Sequence, residues 1–165
     1  MVNYTPGNIL WEDGLVGDEH QPIWRRAATH TLHTSLILKA SLEERLHQET
    51  GLLLADNEAL LQLEMEGSLL RMSEIAHRLI LSRGGTTKVV DRLEEMGLVE
   101  RRPDPDDRRA TIVSITAAGR MARAEARRVI DSILEEMWAA HLTDAEAELL
   151  VAIMDRVAKA NRDGG

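Results

Sequence analysis

The sequence predicts a mainly α-helical fold with one small β-hairpin, and three observations carry that prediction. Apolar residues make up 44% of the 165, yet nearly all are aliphatic or Met, with 3 Trp, 1 Tyr and no Phe. Leu, Ala, Glu and Arg, all good helix formers, dominate the composition. Apolar positions recur at steps of three and four along most of the chain, and the period shortens to two only between 98 and 115. A chain of this length buries about 70% of its unfolded surface, as one domain or as two small lobes sharing a core.

The elements follow in order. Residues 1–20 contain Pro6, three glycines and four acids without Lys or Arg, and are expected to form a flexible arm whose Ile9, Leu10 and Trp11 could dock on a partner subunit. From 22 to about 48, Ile23, Ala27, Ala28, Leu32, Leu36, Ala40 and Leu46 keep helical spacing, Pro22 suits a first turn and Gly51 a stop. A second helix covers 56–66, and 69–71 reads as extended. A third covers 72–80 with Ile75, Ala76 and Leu79 on one face. Ser82 then caps a fourth, which carries Val89, Val90 and Leu93 and closes at Gly97. Two short helices around a tight turn form a helix-turn-helix. Residues 98–102 and 111–115 read as strands around the polar turn 103–107, a hairpin that makes a wing. Thr116 caps a fifth helix reaching about 139, and Thr143 with Glu146 forms a capping box for a sixth with the stripe Leu149, Leu150, Ile153 and Val157. The chain thus divides into the arm, a winged helix-turn-helix lobe over 53–116, and a helical region made of 21–52 and 117–165.

Composition removes several kinds of chemistry. Without Cys there is no disulfide framework, thiolate metal site, Cys nucleophile or thiol redox sensor. The longest apolar run, 149–154, is six residues against the roughly 20 of a membrane span, and the first 20 residues lack a secretory pattern, so a cytoplasmic protein without a membrane partner is expected. No cofactor motif, GxSxG, HExxH, Walker A or GxGxxG arrangement occurs, which argues against an enzyme. The acids Asp104, Asp106 and Asp107 lack the Gly and distant Glu of a calcium loop. The net charge of −8 argues against a phosphate-rich partner until it is divided by position. Between 71 and 128 there are 13 Lys and Arg against 9 Asp and Glu, a net of +4, while the remainder holds 7 against 19, a net of −12. The basic segment offers a docking face for nucleic acid, or simply a mixed-charge surface in water.

The run LRMSEIAHRLILSRGGTTKVVDRLEEMGLVERRPDPDDRRATIVSITAAGR, 51 residues over 70–120, resembles the winged helix-turn-helix core of the MarR family of bacterial transcription regulators. Asp107, Arg109, Ile115 and Thr116 reproduce that family's Asp-x-Arg, five residues, apolar-Thr pattern, with Ile115 where Leu is commoner. The resemblance implies a dimer that binds double-stranded DNA at a near-palindromic operator, probing the major groove with the fourth helix. Ser82, Arg83, Gly84, Gly85, Thr86, Thr87 and Lys88 lie at the start of that helix, where free N–H groups and the positive dipole end meet anions. The two glycines either let the backbone approach DNA closely or make a permissive turn before a helix starting at Thr86. The family more often has Ser then Gly here, with an apolar residue at position 86, so no base preference transfers.

On the wing, among Arg101, Arg102, Arg108 and Arg109, the resemblance sends Arg109 into the minor groove with Asp107 orienting the arginines; alternatively the wing acids only neutralise them. Arg92 is expected at the DNA face, and it shares with Arg71 and Arg78 the choice between a phosphate contact and a structural role. The family's architecture places a dimer interface on Trp138, Leu142, Leu149, Leu150, Ile153, Met154 and Val157. It also implies a pocket for a small aromatic or phenolic ligand near His30, His33, Ile37, Leu61 and Met65, with Trp24 either lining it or serving as a core or interface residue. The His30 and His33 pair is more in keeping with packing or solvation than with a metal site. The expected function is a dimeric repressor released by a small ligand. The rival is a winged helix used for protein interaction without specific DNA binding.

Overall fold

The computed structural model describes residues 21–67, 69–107 and 109–162. The expected arm, Arg108 and the last three residues lie outside that range. The order is α1 (Ile23–Thr50), α2 (Leu54–Met65), β1 (Leu69–Arg71), α3 (Met72–Arg78), α4 (Arg83–Glu95), β2 (Val99–Pro103), β3 (Thr111–Ile115), α5 (Ala117–Leu134) and α6 (Asp144–Arg162). The strands form an antiparallel sheet in the order β1-β3-β2, with Val113 at its centre facing Leu70 on one side and Arg101 on the other. No described helix is long and apolar enough to cross a membrane.

Local chemistry sets most boundaries. Gly51 stops α1 in the left-handed conformation at φ 74°, its N–H donating to the His47 carbonyl over 2.8 Å. The Ser82 hydroxyl accepts from the Gly85 N–H at the start of α4, and the Thr116 hydroxyl accepts from Gly119 at the start of α5. Thr143 and Glu146 form the reciprocal box before α6, with the Thr143 N–H donating to Glu146 over 2.9 Å.

Besides small shifts, α2 starting at Leu54 and β2 running Val99–Pro103, two boundaries differ from the sequence expectation for a physical reason. The third helix stops at Arg78 because Ile80 turns into the left-handed region at φ 54°, and the Leu81 N–H reaches back to the Ala76 carbonyl. A β-branched residue is a poor choice there. The fifth helix remains regular only to Leu134 and then opens into a π-helical turn over Glu135–Ala139. Glu136 in that turn accepts from the Arg45 guanidinium of α1 over 2.8 Å.

The core gathers Leu46 from α1, Leu60 and Leu63 from α2, Ile75, Leu93, Val113, and Ala126 with Ile133 from α5, all fully buried. Gly119 lets α5 pass directly over the chain at Leu98: a Cβ at this position would stand 2.1 Å from the Leu98 carbonyl oxygen. Apolar residues elsewhere find no such cover. The first two thirds of α1 and the whole described length of α6 bury no residue within the chain, and Leu32 and Leu149 are 65% and 62% exposed.

Candidate nucleic-acid interface

The fourth helix separates into two faces. Thr86, Val89, Val90 and Leu93, spaced to share one side, pack into the core. Thr86 was expected to offer a donor outward, but it is 1% exposed and its hydroxyl donates to the Ser82 carbonyl over 3.1 Å. Its place on the apolar stripe explains the inversion. Arg83, Gly84, Thr87 and Lys88 remain on the exposed face. The helix begins at Arg83, so the glycines are not a turn preceding it. A Cβ on Gly84 would meet nothing within 4 Å, and one on Gly85 would lie 3.4 Å from the Ser82 hydroxyl. The chain's own packing therefore gives no reason for glycine at position 84.

Among the described residues, two of the wing acids, Asp104 and Asp107, brace the wing through hydrogen bonds. Asp104 is buried, and its carboxylate accepts the Arg71 Nε–H over 2.5 Å and the Asp106 backbone N–H over 2.9 Å. These contacts hold its pKa below the ordinary carboxylate value, the Asp106 backbone donor first and Arg71 next, while the same ion pair raises that of Arg71. Asp107, expected to orient the wing's arginines, accepts the backbone N–H of Arg109 through Oδ1 over 3.0 Å, which shapes the turn. Arg101 turns from the wing to α4, its guanidinium 2.7 Å from both Asp91 and Glu94.

The arginines are thereby sorted. Arg71, Arg78 and Arg101 pair with Asp104, Glu66 and the two α4 acids. Arg92, expected at the DNA face, donates from Nε and Nη2 to both oxygens of Asp56, which is fully buried at the start of α2. Its fork is occupied and points into the lobe. Arg83, Lys88, Arg102 and Arg109 make no ion pair among the described residues and are exposed.

An open groove of about 610 Å³ runs between these parts, lined by Arg71, Met72, Ser73 and Ala76, by Arg83, Thr86 and Thr87 of α4, and by Arg109, Ala110 and Thr111 of the wing. Ser73 and Thr111, with hydroxyls that can meet phosphate oxygens, were not singled out in the sequence. Only the folding of β3 against α3 brings them beside α4. A second depression, of about 590 Å³, lies at the wing base around Leu69, Arg102, Pro105 and Ile112. Neither includes the residues expected around a ligand. Trp24, His30 and Met65 are exposed, and His33, Ile37 and Leu61 are half-buried, so the single chain does not gather them into either depression. The residues expected at a dimer interface are half-exposed or exposed: Trp138 in the π-helical turn, Leu142 after it, and Leu149, Leu150, Ile153, Met154 and Val157 on α6.

Residues 56–111, from the first turn of α2 to the first residue of β3, match the MarR family. The chain carries a MarR-family domain. The HTH-type transcriptional regulator PrsX of Escherichia coli is 34% identical over 88 residues, covering 53% of this chain and 52% of PrsX. The chain therefore spans about half the length of the curated relatives it matches. Among solved structures, the MarR-family regulator Sco3205 of Streptomyces coelicolor, crystallised in complex with DNA, superposes with a TM-score of 0.75 at 21% identity, covering 87% of this chain and 91% of its own. The organohalide-sensing regulator RdhR-CbdbA1625, in its 2,4-dichlorophenol-bound form, gives 0.75 at 14% identity over 87% and 85%. The winged-helix architecture of MarR regulators is thus the fold of this chain, and its relatives are transcriptional regulators, not enzymes.

Proposed function

We propose that this MarR-type protein is a homodimeric, sequence-specific DNA-binding regulator that places α4 in a major groove and the wing in the neighbouring minor groove. The observation that carries the reading is the groove between α4 and the wing. Arg83 and Arg109 stand at its two sides without acid partners among the described residues, while the arginines around them are tied into the fold. The free N–H groups of the first turn of α4 add a site for phosphate. A second copy would cover the apolar faces of α1 and α6 and set two recognition helices about 34 Å apart, matching a near-palindromic operator.

Repression, and release by a small aromatic or phenolic ligand, complete the proposal. In this reading Trp24, His30, His33, Ile37, Leu61 and Met65 become a pocket only in the dimer, and the phenol-bound neighbour of the same fold supports that class of ligand. Release requires the ligand to favour a DNA-incompetent spacing by a few kcal/mol. Titration of the full chain against a fluorescent duplex from its own upstream region, beside a scrambled duplex at several salt concentrations, tests the proposal. Tight, salt-dependent and selective binding with two chains per site is expected. Equal weak binding to both duplexes overturns it in favour of a protein-interaction role.

A further inference from the structure

The Arg92–Asp56 pair has a geometry that stability alone does not account for. Asp56 is fully buried, and one of its oxygens also accepts the Leu53 N–H over 2.9 Å, closing the first turn of α2. Arg92 meets the same carboxylate from α4, its Nε 3.0 and 2.9 Å from the two oxygens and its Nη2 2.5 Å from Oδ1. Asp56 is buried while Arg92 stays partly in water, and desolvating the carboxylate cancels much of the attraction, so the pair adds little net stability over apolar residues of similar size. A planar fork on a fixed carboxylate contributes direction instead. The contacts of α4 with the lobe through Val89, Val90 and Leu93 are apolar and include no directional bond. Arg101 holds the same half of α4 from the wing side through Asp91 and Glu94.

The exposed residues of α4 lie at its other end. Arg83 and Arg92 are nine residues apart, about 13 Å along a helix, so a tilt of about 10° at the clamp moves the first turn by about 2 Å. Hydrogen bonds to base edges do not survive such a shift.

We propose that Asp56 and Arg92 are positioning residues which fix the angle of α4 for base readout, Arg92 acting through Asp56 rather than on DNA. The proposal rests on the DNA-binding reading above. The test compares wild type with Arg92→Lys, which keeps the charge but loses the fork, and with the double variant Asp56→Asn/Arg92→Gln, which leaves no unpaired buried charge. Ile133→Val, on α5, serves as a control destabilised away from α4.

Each protein is titrated with native and scrambled duplexes across salt. The positioning variants should lose about tenfold in preference for the native duplex with the salt slope unchanged, and the control should keep its preference. A salt slope lowered by about one with both duplexes weakened equally would make Arg92 a phosphate contact and overturn the proposal. Wild-type preference in both variants would overturn it as well. Amide exchange of residues 83–95 without DNA gives a separate readout, in which the double variant should exchange faster in α4 than in α5. Failure of wild type itself to prefer the native duplex would count against the DNA-binding reading, whereas unchanged exchange in α4 would count against the clamp.

Discussion

The lobe around α4 and the pair of terminal helices use the same aliphatic residues to opposite ends. In the lobe, Leu60, Leu63, Ile75, Leu93 and Val113 are fully enclosed by neighbours of their own chain. Along α6 and the first part of α1, Leu32, Leu36, Leu149 and Val157 keep half or more of their surface in water. Hydrophobic spacing predicts helices equally well in both regions, yet it does not say whose surface will cover them. The lobe encloses its apolar residues within one chain, whereas the terminal helices leave these ones uncovered.

The largest break in that contrast belongs at Gly119. Ala there would press its methyl into the Leu98 carbonyl, an overpacking against backbone that cannot swing aside; Gly119→Ala should destabilise the fold by about 3 kcal/mol or more in urea denaturation. The next effect compares the two regions directly. Ile133→Ala opens a cavity in the enclosed core and should cost about 2 to 5 kcal/mol. Leu149→Ser leaves no cavity in its own chain and should instead shift sedimentation toward single chains, with a Tm that depends more steeply on protein concentration.

At the groove, Arg109→Ala should weaken binding to the native duplex by about 1 to 3 kcal/mol in a fluorescence titration while leaving the assembly mass unchanged. The smallest effect concerns acid. The Asp104 carboxyl has a folded-state pKa below its ordinary value of 3.8, so its contribution is complete above that value and is lost as the pH falls through the lower folded one. The difference in urea midpoint between wild type and Asp104→Asn should therefore be constant at neutral and mildly acid pH and shrink only below about pH 4.

Features governed by neighbours in sequence were legible before the fold was known. The Ser82, Thr116 and Thr143 caps need only the next turn of chain, and Gly51 and Gly97 mark left-handed turns at φ 74° and 70°. The helix-turn-helix and its wing follow from these signals. Ile80 was illegible because it breaks the local rule for residues at positive φ. The burial of Thr86 could have been read from its three-, four- and seven-residue steps to Val89, Val90 and Leu93, but its hydroxyl suggested a donor for DNA. The partners of Arg71 and Arg92 lie 33 and 36 residues away, and no local pattern marks them. Sequence supplied the cations of the candidate interface; the fold decided which of the described ones have no acid partner.

If α4 reads DNA as proposed, stability and recognition diverge at Gly84. It sits in the first turn of α4 with open space where a side chain would stand, so Ala there should stabilise α4 by about 0.5 kcal/mol at no steric cost to the chain. Gly84→Ala should accordingly melt at a higher temperature and bind the native duplex less tightly. A more durable protein is thus one substitution away, and under the proposed function its cost would fall on the bare strip of backbone that α4 would offer to DNA.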